Sequence, residues 1–321
     1  MKYNYYPGCS LEKNASAYHV STMAVAKPFG LDFLEIDDWN CCGATEYIAL
    51  NKMAAYSLVA RNLAIASQMG HGDQLIAPCS ACFLNLSKAE TYLIEDLELR
   101  EKVNTALSAG GMHYNPGNLT IRHLLDVFVN DVGYDAIAAK VVKPLKGLRV
   151  APYYGCLVVR PKFHGNFDDF EQPVTLDKLL KTLSADVVDF PLKAQCCGGH
   201  MTQISEATAM DLLNRLLKNA SDYKADVIVT LCPMCQLNLD AYQADVNRYF
   251  NTDYHIPILY FTQMIGLALG MSAQELGIGK ELVDARPALS KIGVEVPEPE
   301  PPKKKRPSKE ELPMPVMPQE K

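Results

Sequence analysis

Apolar positions along this chain alternate between short continuous runs and longer stretches in which they recur every three or four residues. The runs predict strands and the spaced stretches predict helices. From the start, Lys2–Tyr6 reads as a strand ending at Pro7-Gly8-Cys9, and Ser16–Phe29 as a helix stopped by Gly30. Asp32–Ile36 reads as a second strand, Ala44–Met69 as one long Ala-rich helix ended by Gly70, and Gln74–Ala77 as a third strand. A further helix begins near Ala81.

The same order then returns. Leu148–Tyr154 reads as a strand, Leu176–Leu183 as a helix, Val187–Phe190 as a strand, Gln203–Ala220 as a helix and Asp226–Leu231 as a strand. Leu119–Phe128 in the first half resembles Ile258–Leu267 in the second, and about fifteen extra residues lie before the former, around Asp96–Gly111. A repeat of roughly 150 residues is too long for a solenoid and suits two tandem domains. Strand–helix alternation implies mostly parallel sheets. The expected fold is therefore α/β: two pseudo-symmetric Rossmann-like domains, residues 1–145 and 146–290, followed by a proline-rich charged tail, 291–321.

Eight of the twenty prolines fall in the last 25 residues, around a Lys303-Lys304-Lys305-Arg306 run. Such a composition cannot offset its own ordering entropy, so the tail reads as disordered or as an extended arm docked on a partner. The 321 residues are 48% hydrophobic and 21% charged, enough for a sizeable core. A net charge of −6 argues against general nucleic-acid binding. No uninterrupted apolar stretch reaches the length of a membrane span. Met1-Lys2 runs straight into the first strand with no export signal, so a cytoplasmic location is expected.

Candidate chemistry sits at the ends of the strands. Cys9, the pair Cys41-Cys42 before Gly43, and Cys79 with Cys82 recur as Cys156, the pair Cys196-Cys197 before Gly198, and Cys232 with Cys235. Between Cys9 and Cys41 lie 31 residues and between Cys42 and Cys79 lie 36, against 39 and 34 in the second half. All ten cysteines belong to these two sets. Each set follows a strand, at the carboxyl edge where open α/β sheets hold their ligands.

Without an export signal, metal binding or catalysis is expected before disulfides. Structural zinc takes four thiolates per site and would strand two of the ten. A dithiol oxidoreductase would need only one C-x-x-C. Iron–sulfur ligation fits best, although a cubane needs only four thiolates. Five per half means that one cysteine lies outside the coordination, or that one thiolate bridges two irons. The glycines after each pair would let the neighbouring thiols converge at a turn. The helix after each Cys-Cys-Gly would aim its N–H groups at an anionic cluster.

The duplicated Cys-Cys-Gly pattern resembles the signature of the cysteine-rich CCG domain family. Its surroundings, Tyr5-Tyr6-Pro7-Gly8-Cys9, Asn40-Cys41-Cys42-Gly43-Ala44, Ala151-Pro152-Tyr153-Tyr154-Gly155-Cys156 and Gln195-Cys196-Cys197-Gly198-Gly199-His200, look like those of B subunits of CoB–CoM heterodisulfide reductases. The resemblance covers about residues 1–290. It implies two non-cubane [4Fe–4S] clusters, one held by Cys9, Cys41, Cys42, Cys79 and Cys82, the other by Cys156, Cys196, Cys197, Cys232 and Cys235. It also implies reduction of the mixed disulfide CoM-S-S-CoB in the last step of methanogenesis. Electrons would arrive from a ferredoxin-like C subunit fed by a flavin-containing, bifurcating A subunit, with a hydrogenase or formate dehydrogenase as a source. Related electron-transfer subunits of thiol:fumarate reductase, succinate dehydrogenase or lactate and glycolate oxidation share the repeats, so their function stays open, as does a zinc-stapled scaffold.

Both halves of the mixed disulfide are anionic, so an acidic chain must place cations locally. Arg160 and Lys162, just past Cys156, are the substrate-binding candidates. His200 is the candidate proton donor, since histidine titrates near neutrality. His19 and His164 are weaker ones, and Trp39 reads as packing around the first set.

Overall fold

In a computed structural model, residues 1–44, 47–161, 163 and 168–296 are described. Two four-stranded, all-parallel sheets form, each from one half of the chain. The first contains β1 (Lys2–Tyr5), β2 (Asp32–Glu35), β3 (Gln74–Ala77) and β4 (Thr120–His123), in the order β2-β1-β3-β4. The second contains β5 (Arg149–Tyr153), β6 (Asp186–Val187), β7 (Val227–Thr230) and β8 (Ile258–Tyr260), in the order β6-β5-β7-β8. The two orders are the same, so the duplication read from the sequence is a duplication of topology. Every residue of β7 is buried, as expected of a parallel strand covered on both faces.

Strand ends lie within a residue or two of expectation, except that the Val187–Phe190 run gives only the two-residue β6. Two long helices are broken. The Ala44–Met69 stretch divides into Tyr47–Leu50 and Lys52–Gln68, because the Asn51 side chain accepts a hydrogen bond from the Ala54 N–H at 3.0 Å and caps a new helix. The Gln203–Ala220 stretch divides at Ser205, extended at φ −149°, into Met201–Ile204 and Glu206–Asp222. Of the extra first-half residues, Leu97–Ser108 form a helix capped by Asp96.

The halves pack face to face. Helix Ser16–Ala26 of the first half lies on helix Phe261–Ala268 of the second. The Tyr18 and Tyr260 rings stack at 4.3 Å and 3° between planes, and the Ser21 and Thr262 hydroxyls meet at 2.7 Å. The proline-rich tail from Pro297 lies outside the described residues.

Candidate functional site

Each cysteine set gathers at the carboxyl edge of its sheet, and all ten cysteines are free thiols. A strand end and a glycine begin the gathering. Gly8 and Gly155, after β1 and β5, have φ +74° and +68°, and a Cβ on either would lie 2.9 Å from the Sγ of Cys82 or Cys235. Only glycine admits both the backbone conformation and the approach of sulfur.

Two tyrosines next fix the Cys-Cys-Gly turns. Tyr6 donates its hydroxyl to the Asn40 carbonyl at 2.8 Å, and Tyr153 donates to the Gln195 carbonyl at 2.8 Å. Each acceptor immediately precedes a cysteine pair. The helices after each C-x-x-C complete the frame: Asn85 donates to the Cys42 carbonyl at 3.0 Å, and Asn238 donates to the Gly199 carbonyl at 2.7 Å and towards the Cys197 Sγ at 3.6 Å. The cysteine pattern alone does not single out these asparagines. Their signal is a longer repeat, Cys-x-x-Cys-x-x-Asn, present in both halves.

Within the first set, the Sγ atoms of Cys9 and Cys41 are 3.8 Å apart and those of Cys42 and Cys82 3.3 Å. Cys9 and Cys41 are exposed, whereas Cys42, Cys79 and Cys82 are buried. In the second set Cys156 and Cys196 are half-buried and the other three buried. Hydrogen bonds from Cys42 and Cys9 hold the Cys41 thiol down at about 2. A hydrogen bond from Cys156, with help from the Gly198 N–H and the Arg160 charge, brings Cys196 to about 6. The same bonds push Cys9 and Cys156 up, and the bond to Cys41 takes Cys42 to about 12. Packed thiols thus resist ionising together, and binding a cation would release their protons. Among the described residues, no group of three or more His, Cys, Asp or Glu side chains is arranged for a single metal ion.

In the second half, the helix after Cys-Cys-Gly gives its Met201 and Gln203 N–H groups to the Gly198 and His200 carbonyls, and in the first half the residues leading into that helix, Thr45 and Glu46, lie outside the described residues. Cys79 and Cys232 stand at the N-cap positions of the helices Ser80–Glu95 and Pro233–Ala241, and the Cys235 and Met234 N–H groups help lower the Cys232 thiol, beneath the hydrogen bonds from Cys235 and Cys79. After the pair, the turn backbone itself serves: the Gly198 N–H donates to the Cys196 Sγ at 3.3 Å.

The sets meet at the interface. Hydrogen bonding with Cys232 is the leading cause that raises Cys79. Tyr18 donates its hydroxyl between the Pro78 and Leu231 carbonyls, at 3.2 and 3.4 Å, each just before a C-x-x-C. His123, fully buried, faces the same two carbonyls, and burial pushes its imidazole down to about 4. A cavity of about 200 Å³ opens beside the second set. All five second-set cysteines line it, together with Tyr154, Leu157, His200, Met201, Ile204 and Met234, and the first half adds Ser80 and Ala81. A shallower depression of about 530 Å³ lies at Cys9, among Glu12, Glu35, Asp37 and Asp38.

Of the other candidates, His200 lines the cavity and precedes helix Met201–Ile204. Arg160 is not among the described lining residues; its guanidinium donates to the Ala194 carbonyl, beside the second cysteine pair. Lys162 and His164 lie outside the described residues. His19 sits by the Tyr5 hydroxyl at 3.4 Å, and Trp39 packs edge-on against Tyr6 at 5.4 Å, a packing role as expected.

Two sister sheets, each delivering five thiols in the same order to the same edge, define a class. The chain belongs to the cysteine-rich domain (CCG) family, whose model matches residues 3–87 and 150–240. Its particular relatives are redox proteins. It is 34% identical to the 8-methylmenaquinol:fumarate reductase membrane anchor subunit of Wolinella succinogenes, over 88% of this chain and 98% of that one. It is 30% identical to the B subunit of the ferredoxin/F420H2-dependent CoB–CoM heterodisulfide reductase of Methanosarcina acetivorans, over 91% and 97%. The B subunit of a Methanosarcina mazei ferredoxin:CoB–CoM heterodisulfide reductase matches at the same identity and coverage. A solved hypothetical protein from Helicobacter pylori shares the fold, with a TM-score of 0.68 at 15% identity, covering 88% of this chain and 52% of that one. Among the described residues no helix is long and apolar enough to cross a membrane.

Proposed function

We propose that this chain is an iron–sulfur electron-transfer subunit of a reductase complex, in which each five-cysteine set holds one non-cubane [4Fe–4S] cluster. The observation that carries the reading is the meeting of the two sets at Cys79 and Cys232, on one shared interface. A cluster supplies one-electron chemistry and open iron sites for sulfur. The protein's part is to hold two such groups side by side, so that a two-electron substrate meets both. The ten thiols are the metal ligands: Cys9, Cys41, Cys42, Cys79 and Cys82, and Cys156, Cys196, Cys197, Cys232 and Cys235.

For the substrate, the first reading is the mixed disulfide CoM-S-S-CoB, supported by relatives named for that reaction. His200, on the cavity wall, then serves as proton donor to a departing thiolate. Arg160 and Lys162 serve the anionic ends of the substrate. Electron donors would be the C and A subunits of such a complex, in the cytoplasm. The second reading is exchange with a quinol on behalf of a fumarate reductase. Two observations favour it: the 34% identity to a subunit of that enzyme, and a cavity whose described lining is largely apolar, without Lys or Arg.

Anaerobically purified and reconstituted protein decides between these. About eight irons and eight sulfides per chain are expected, on the basis of two four-iron clusters, and two zincs without sulfide would refute the cluster reading. Thiol release from CoM-S-S-CoB with reduced viologen supports the first substrate. No release, with cluster reduction by a naphthoquinol instead, supports the second.

A further inference from the structure

Ser80 is 1% exposed, and among the described residues its hydroxyl finds no hydrogen-bond partner. A hydroxyl withdrawn from water without a partner is a cost that a folded chain ordinarily avoids. Ser80 belongs to the first half, between Cys79 and Cys82, yet it lines the cavity formed by the second-half cysteines. The equivalent position in the other half is Pro233, which has neither a hydroxyl nor an N–H to offer. The duplication is therefore broken at this residue, in the direction of the second set.

We propose that Ser80 is a positioning and tuning residue for the group in that cavity, donating its hydroxyl across the interface to a sulfur of the second-half cluster. The assignment rests on the cluster reading above. Hydrogen bonds to cluster sulfurs are among the levers that set reduction potential, because a donor stabilises the more negative, reduced form. The second set already receives the Gly198 N–H at the Cys196 Sγ and the Asn238 amide towards the Cys197 Sγ. Ser80 adds a donor from the opposite half, so that the two sister clusters differ in potential and electrons have a direction to flow.

The test is a potentiometric titration followed by electron paramagnetic resonance on the reconstituted full chain. Cys42→Ser and Cys197→Ser, each deleting one signal, assign the two components to their halves. In Ser80→Ala the second-half component should move to lower potential while the first-half component stays, and Ser80→Thr, which keeps a hydroxyl, should restore it. An unmoved second component, an equal shift in both, or a Ser80→Thr chain that behaves like Ser80→Ala would overturn the proposal. A Ser80→Ala chain that cannot keep the second cluster, where Ser80→Thr can, supports the same donor; loss in both overturns it. Failure of the unaltered chain to assemble clusters at all would instead remove the functional reading, whatever the Ser80 variants do.

Discussion

Gly155 is the residue on which the second set turns. Alanine there would combine a left-handed backbone with a Cβ 2.9 Å from the Cys235 Sγ, and the sulfur is the softer of the two. Gly155→Ala should therefore cost about half of the iron, with the loss confined to second-half signals. Gly8→Ala should do the mirror image, as read by iron analysis and spectroscopy. Tyr6→Phe and Tyr153→Phe remove one hydrogen bond each to the carbonyl before a cysteine pair, a loss of about 1 kcal/mol in denaturant unfolding. The cysteines and these glycines were legible because the sequence states them twice. Ser80 was not, since its meaning lies in where the duplication fails, and a hydroxyl beside two cysteines carries no signal until the opposite half is folded against it.

Among elements, the helices after each C-x-x-C do more than pack. Each starts directly after a cysteine and carries, three residues beyond the second cysteine, an asparagine that ties the helix to its Cys-Cys-Gly turn. Asn238→Ala should cost on the order of 2 kcal/mol and Asn85→Ala about 1, because Asn238 makes the larger number of bonds. Thermal unfolding under anaerobic conditions would measure the difference. Periodicity located the first of these helices, from near Ala81, but not its counterpart Pro233–Ala241, and it ran the Ala44–Met69 and Gln203–Ala220 helices through their breaks at Asn51 and Ser205. An apolar stripe continues through a one-residue interruption, whereas the break itself rests on one residue, a side-chain cap at Asn51 and an extended backbone at Ser205. The two-residue β6 shows the complementary limit: Val188 still donates its N–H to the Val150 carbonyl at 2.9 Å, whereas Phe190 is buried beyond the end of the strand.

At the scale of the whole molecule, the interface is the part that sequence patterning could not supply. Tyr18, in the first half, bonds to carbonyls of both halves and stacks on Tyr260. His123 lies at the same junction, and its imidazole, lowered to about 4, is neutral when folded at pH 5. The unfolded chain binds a proton there near pH 6.5, so stability is full above that value and declines as pH falls towards 4, by on the order of 3 kcal/mol. His123→Leu should flatten that decline between pH 7 and pH 5 in urea titrations, with little change in slope above pH 7.

The contact between Cys79 and Cys232 also sets how the molecule stores charge. With a cluster in each set, as proposed, an electron placed in one half would raise the energy of the next in the other, because Cys79 and Cys232 meet inside protein of low dielectric. Reduction is then expected to be anticooperative, the first equivalent entering readily and the second only at a distinctly lower potential. Such a pair would behave as a single two-step accumulator, and a partner delivering electrons one by one would have to be a strong enough reductant for the harder of the two steps.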